Sequence, residues 1–309
     1  MNESNIGKER EIDYNAIPAS IRRRPYFIIA PGLLILIGIL VPFGIAIFLS
    51  FTNFSFRSST NWRFVGVTNW KGTFTDPAFY HAVWVTLRYA FYATLTQMAI
   101  GVAVALLLRK DNMFSRVLKV LFTFPLMVAP AIAVLIWQLM TSNSVGVLEG
   151  LLNFFGVFNF PWASSHRTAM FTAVLIDTWV NTPFILLLVL AGLQSLPKSP
   201  FEAAQVDGAS SWFIFKTLTF PMLKPFIYIA LLFRVMASLQ EFGIIFALSK
   251  GGPGDTLMNI SLTGYITAFQ FLRMGKALPY LLVLWTICYV TAYLLVKKQR
   301  KLVKMAQGY

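Results

Sequence analysis

Six stretches of this chain run for about twenty residues or more with almost no charge, and that spacing restricts its fold more than any other feature. A helix rises 1.5 Å per residue, so about 20 apolar residues cross the roughly 30 Å hydrocarbon layer of a bilayer. The stretches lie near Tyr26–Phe51, Ala82–Leu108, Val120–Thr141, Thr168–Leu190, Phe226–Leu248 and Leu278–Val296. Inside lipid every backbone N–H and C=O must find a partner within the protein, which leaves helices for spans of this length. Composition agrees. The chain of 309 residues is 57% hydrophobic and 12% charged, against about 25% charged in soluble domains. The expectation is an all-α polytopic membrane protein with six transmembrane helices. Its six-helix transmembrane domain would fill residues 26–296, between an N-terminal segment (1–25) and a basic C-terminal tail (297–309).

The net charge of +14 sits at the ends of the apolar runs, and no nucleic-acid-binding motif accompanies it. Lys and Arg are enriched in cytoplasmic loops, so their distribution gives orientation. With the N-terminus inside, the inner segments carry seventeen basic residues, including Arg22–Arg24, Arg109, Lys110, Lys216, Lys224 and Lys297. The outer loops carry seven: Arg57, Arg63, Lys71, Arg167, Lys250, Arg273 and Lys276. Both termini are therefore expected in the cytoplasm. The first span follows Arg22-Arg23-Arg24-Pro25; it is too long for a signal-peptide core and reads as an uncleaved helix.

The outer loops have their own signals. Asn53–Tyr80 is polar and aromatic, with Trp62 and Trp70 suited to the membrane interface. Gly146–Gly156 carries leucines and Phe155 at helical spacing, predicting a short surface helix. Gly251-Gly252-Pro253-Gly254-Asp255 is a strong turn and opens Thr256–Phe271, expected to fold partly back into the outer mouth. Pro125 and Pro130 in the third span and Pro183 in the fourth each remove a helix hydrogen bond. They read either as ordinary irregularity or as kinks in a pathway-lining helix. Cys288 lies within an apolar run. His81 and His166 stand alone, without metal-ligand spacing.

Polar groups inside apolar spans are costly and therefore informative. They are Arg88, Gln97, Gln138, Asp177, Asn181, Arg234, Gln240 and Glu241. Asp177 and Asn181 are four residues apart on one face of the fourth span, with Phe184 three further on. Arg234, Ser238 and Glu241 are spaced i, i+4, i+7 on the fifth. Two polar stripes on consecutive helices suit a shared cavity; they equally suit internal pairing of Arg234 with Glu241 or Asp177.

Between these spans lies the polar segment Glu202-Ala203-Ala204-Gln205-Val206-Asp207-Gly208-Ala209, continuing to Leu218-Thr219-Phe220-Pro221. Charge distribution places it, as part of a loop of residues 197–225, in the cytoplasm. Ser199 is the expected N-cap, Pro200 fits a first helical turn and Glu202 suits its positive end. Ala203 and Ala204 let a neighbour approach the backbone closely, and Gly208 suits a sharp bend. Trp212, Phe213, Phe215 and Phe220 are expected to root the next helix against the spans.

Glu-Ala-Ala, three residues, Gly, nine residues, an aliphatic, one residue, an apolar residue and Pro is the pattern of the coupling loop of ABC importer permeases. The segment resembles it, in the form found in the carbohydrate-uptake, maltose-type branch. Leu218 and Phe220 replace the commoner Ile and Leu. Trp179, Pro183, Leu196-Pro197 and the outer Gly251-Gly252-Pro253 extend the resemblance to the first permease of such pairs. It implies a type I importer permease fold in a bacterial or archaeal cytoplasmic membrane, and a chain that is not an enzyme.

The implied partners are a second permease, two ATP-binding ATPase subunits and an extracytoplasmic solute-binding protein, with sugar or oligosaccharide as substrate. ATP and Mg would be bound by the ATPase partners, with no cofactor in this chain, which lacks G-x-x-x-x-G-K-[ST]. Glu202, Ala203, Ala204, Asp207, Gly208 and Ala209 would couple to the ATPase. Alignment on these anchors places sugar contacts at Asp177, Val180, Asn181, Phe184, Arg234, Ala237, Ser238 and Glu241. Arg234 suits an acidic sugar, since guanidinium pairs bidentately with carboxylates; a neutral sugar fits equally. The rival readings are an ABC permease for another solute, such as a phosphorylated polyol, and an ion-coupled secondary transporter using Asp177 or Glu241.

Overall fold

Apolar periodicity becomes thirteen α-helices in the computed structural model, which describes residues 19–58, 60–110 and 112–306, with side chains placed within 29–300. Residues 1–18 of the expected N-terminal segment and 307–309 of the expected tail lie outside the described residues. Two units are distinguished, one ending at Leu49 and one running from Ser50. The first contains most of α1 (Ala19–Ser50), whose stretch Ile29–Ser50 has a mean hydropathy of 2.8 and carries no charge. The rest of the chain forms the second unit. Among the described residues there are no β-strands, only isolated bridges such as Thr52 to Phe64.

The second unit begins with a short helix, α2 (Thr68–Thr75), followed by the long α3 (Pro77–Leu107). Asp76 caps α3 by accepting from Ala78 N at 2.9 Å, and Pro77 occupies its first turn, where a missing N–H costs nothing. Next come α4 (Met113–Thr123), α5 (Pro130–Met140), α6 (Val147–Phe154) and α7 (Ala169–Gln194). They are followed by α8 (Ser199–Val206), α9 (Ser211–Ile214) and α10 (Phe220–Leu239), then α11 (Gly243–Ser249), α12 (Ile260–Tyr265) and α13 (Met274–Ala306). Among the described residues, five helical segments are long and apolar enough to cross a membrane, and six if α4 and α5 count as one broken span.

That third span departs from the continuous helix expected over Val120–Thr141. α4 passes into a 3-10 turn, Phe124–Met127, and α5 leaves at 107° to it. Pro130 disfavours the helical conformation at the preceding residue, and Ala129 is extended, with φ −61° and ψ 141°. Two prolines five residues apart thus convert a kink into an elbow. The fifth span is also displaced. It begins earlier, through α9, a π turn over Phe215–Thr219 and α10, and it stops at Leu239 instead of Leu248. The Gln240-Glu241 pair breaks it: Glu241 turns back to accept from Ile244 N at 2.8 Å, and α11 starts as a separate helix.

The core lies where α3, α7 and α10 meet, flanked by α5, α11, α12 and α13. Small residues permit the approach. A Cβ on Gly101 of α3 would sit 2.7 Å from Ile185 of α7. In lipid, where no water is expelled between helices, such close packing is the main source of association. The predicted surface helix is present as α6. Thr256–Phe271 folds back as α12 and a second π turn, Ile266–Gln270, with Ile260 and Leu262 fully buried. The two histidines fasten the preceding turn: His81 Nε2 lies 3.0 Å from the Asp255 carbonyl, and His166 Nδ1 lies 2.6 Å from Thr256 Oγ1.

Candidate functional site

The two polar stripes meet at the centre of the bundle. Asp177 on α7 is fully buried, and Arg234 on α10 reaches it with Nη2 3.3 Å from Oδ2. Arg234 makes further bonds. Nε donates to Gln97 Oε1 on α3 at 2.5 Å, and Nη2 donates to Ser238 Oγ at 2.9 Å. Asn181 donates to Asp177 Oδ1 at 2.6 Å, and Thr94 Oγ1 stands 3.5 Å from Ser238 Oγ. Three helices are thereby joined through one guanidinium. An isolated buried charge would be prohibitive, and here each charge has both a counter-ion and neutral hydrogen-bond partners.

The open choice of partner for Arg234 is settled by this geometry: it pairs with Asp177. Glu241, expected on the same helix face as Arg234 and Ser238, lies two residues beyond the end of α10 and caps α11 instead. Its own carbonyl accepts from Asn259 Nδ2 at 2.5 Å. Between the stripes the facing side chains bond to one another, Arg234 to Asp177 and Ser238, and Asn181 to Asp177. Of the other positions, Val180 is buried in the apolar core, Asn181 and Phe184 are half-buried and Ala237 is exposed. Phe184 meets Phe233 edge to face at 6.0 Å.

Gln97, Thr94 and Tyr89 of α3 complete this cluster, and the sequence stripes do not include them. Gln97 was visible as a polar group in a span, but nothing local tied α3 to α7 and α10. The Tyr89 hydroxyl, close to Asp177, and Gln97 Nε2 are buried without a hydrogen-bond partner. Beside the cluster, the elbow of the third span opens an apolar groove of about 500 Å³ against α3 and α7. It is lined by Phe122, Pro125, Trp137, Trp179 and Pro183. The Trp137 and Trp179 rings meet edge to face at 6.2 Å.

The second assembly is the helix–glycine–helix. α8 ends in a two-bond cap: Ala209 N donates to Ala204 O at 2.9 Å and Gly208 N to Gln205 O at 3.1 Å. This Schellman arrangement requires the residue after the cap to be left-handed, and Gly208 has φ +74°. The spacing from the second alanine to the glycine is thus the spacing of a C-cap. Ser210 then caps α9, accepting from Phe213 N at 3.2 Å. Glu202, Ala203, Asp207 and Gly208 are exposed; Ala204 and Ala209 are half-buried.

Two expectations here are corrected. The N-cap of α8 is Lys198, without a side-chain cap bond, and Ser199 is the first helical residue. Trp212, Phe213 and Phe220 do not root the loop in the bundle, since they are 70%, 56% and 42% exposed. Trp212 instead stacks on Phe215 at 5.6 Å. The periodicity of an aromatic run shows that one face is apolar without showing that this same chain covers it. Beneath α8, a cavity of about 840 Å³ is bordered by Arg109, Lys198, Glu202 and Thr219.

The chain is similar to known proteins in sequence and in fold. The chain is 36% identical to a probable ABC transporter permease protein of Sinorhizobium fredii over 64% of each chain, so it spans about two thirds of that relative's length. It is 33% identical to the trehalose/maltose transport system permease protein MalF of Thermococcus litoralis, over 72% of this chain and 76% of that one. Its fold matches a chain of a bacterial ABC transporter involved in the import of the acidic polysaccharide alginate. The TM-score is 0.79 at 19% identity, covering 91% of this chain and 97% of the other. The family described as binding-protein-dependent transport system inner membrane component matches residues 97–303, which include the Asp177–Arg234 pair and the helix–glycine–helix, and the chain belongs to that family.

Proposed function

We propose that this chain is one of two permease subunits of a binding-protein-dependent importer for a sugar or oligosaccharide. It would provide half of the pathway and perform no covalent chemistry itself. The observation that carries the reading is the 33% identity to a trehalose/maltose permease across three quarters of that protein. Two separate ATPase subunits would bind ATP and Mg, and a solute-binding protein would deliver sugar from outside. Both termini and the α8–α9 loop would face the cytoplasm of a bacterial or archaeal cell, as the excess of basic residues on those segments supports.

In this reading Glu202, Ala203, Ala204, Asp207, Gly208 and Ala209 form the surface that meets the ATPase. The exposed backbone of α8 and the uncovered Trp212 and Phe213 support a protein partner there. Closure of the ATPases would move this loop, and with it α10 and the polar cluster, between inward- and outward-open states. The sugar would meet Asn181, Phe184, Ala237 and Glu241, which retain exposure, with Val180 and Ser238 behind them. Arg234 and Asp177 would hold the helices in register. With Arg234 neutralised by Asp177, the stripe presents no free cation, which favours a neutral sugar over an acidic or phosphorylated one.

The test is uptake of labelled trehalose, maltose and longer glucans by cells lacking and regaining this chain with its partners. Uptake of one of these, abolished by a Walker lysine substitution in the ATPase, is the expected result. Transport by this chain alone in liposomes without ATP would instead support an ion-coupled carrier.

A further inference from the structure

We propose that a cleft between α2, the second π turn and the start of α13 binds the phosphodiester headgroup of a membrane phospholipid. The cleft encloses about 430 Å³ and is bordered by Asn69, Asp76, Thr267, Phe271, Arg273 and Lys276. Its position in the membrane follows from the helices it joins. α3 starts at Pro77 and α13 at Met274, and Tyr280 of α13 donates to Asp76 at the start of α3 at 3.2 Å, so both spans begin at one level. α3 has 31 residues, a length of about 46 Å, which exceeds the roughly 30 Å hydrocarbon layer and matches the full bilayer with its headgroups. The cleft therefore lies at headgroup depth.

Its chemistry fits an anion at that depth. Arg273 and Lys276 are exposed, and among the described residues neither side chain has an ion-pair partner. The neutral donors nearby are occupied: Thr267 Oγ1 donates to Thr263 O at 2.8 Å, and Asn69 donates to Thr52 O at 2.7 Å. Asp76 is the one carboxylate at the border, and its oxygens accept from Ala78 N and Tyr280. The cleft keeps a net positive charge, and both of its cations are free to take a phosphate.

Its rim fits acyl chains. Phe271 is 65% exposed, and Phe269, Phe56 and Phe74 are uncovered alongside it. Trp70 and Phe74 stack in α2 at 6.1 Å, an aromatic pair of the kind that settles at the membrane interface. A lipid, whose phosphate is tied to hydrocarbon, needs a cationic hollow and an apolar border together. Leu272, between the π turn and Arg273, is held at φ +57°, and its carbonyl accepts from Phe56 N at 2.9 Å and Ser55 Oγ at 2.6 Å. A bulky residue in that region is strained, and such strain concentrates at ligand clamps.

The experiment measures phospholipid retained by the purified importer in native mass spectrometry, titrated with phosphatidylglycerol and with phosphatidylcholine. The wild type should retain phosphatidylglycerol preferentially. Arg273→Gln with Lys276→Gln should weaken it about thirtyfold, since each cation near an anionic surface contributes about fivefold. Lys276→Arg should retain it. Both side chains are exposed and unpaired, so the folded complex should persist. Unchanged lipid retention in the double variant overturns the proposal. So does a double variant that loses affinity for a carboxylated oligosaccharide or for the solute-binding protein while keeping its lipid.

Discussion

Arg234 and Asp177 are stable inside the bundle only as a pair, and their substitution should reveal that dependence. Arg234→Ala leaves a carboxylate buried without a counter-ion, a change that costs about 3–5 kcal/mol in buried pairs. The purified variant should melt at distinctly lower temperature. Arg234→Met combined with Asp177→Leu removes both charges at similar volume and should melt within a few degrees of the wild type. Equal damage from the double and single variants would mean that the pair does more than hold helices. Gly208 makes the complementary case on the surface. No atom lies within 4 Å of a Cβ placed there, so Gly208→Ala suffers only the left-handed backbone penalty, about 1 kcal/mol. It should loosen α8 without clashing, and ATPase stimulation by loaded binding protein should fall several-fold while assembly persists.

Elements were legible in the sequence to unequal degrees. The spans α3, α7 and α13 follow from length and hydropathy because nothing interrupts them except single prolines whose neighbours keep the helix going. The third and fifth spans failed for one shared reason: apolar composition continues through a break in the backbone. Hydropathy cannot see that Ala129 extends before Pro130, or that Glu241 caps α11 instead of extending α10. The elbow should therefore depend on its prolines. Pro125→Ala with Pro130→Ala restores two N–H donors and should straighten α4 and α5, lengthening the spin-label distance between positions 118 and 139. An unchanged distance would place the origin of the 107° bend in packing against α7. Of the candidate site, Asp177 and Asn181 were legible because four residues is one helical turn. Gln97 was legible as a polar group in a span, but its bond to Arg234 was not, because the two lie 137 residues apart.

For the whole molecule, the α8–α9 loop and the Gly251–Gly254 turn are proposed to face opposite compartments, and this is directly measurable. With Cys288 replaced by Ala, a membrane-impermeant maleimide should label Asp255→Cys in intact cells and Asp207→Cys only after the membrane is opened. Labelling of both from one side would overturn the proposed topology. The functional assignment rests on the family and the sugar-permease relatives; the structure adds which groups are free to act and which are spent on cohesion.

The pairing of Arg234 with Asp177 has an electrical corollary. A single charge moved through the field of an energised membrane gains or loses about 2.3 kcal/mol per 100 mV. Here two opposite charges 3.3 Å apart occupy nearly the same depth and travel together whenever α7 and α10 move as a body, so the field does almost no net work on them. Charge-displacement currents from this pair should be negligible in the assembled importer and should emerge in Asp177→Asn, where the guanidinium is left to move alone.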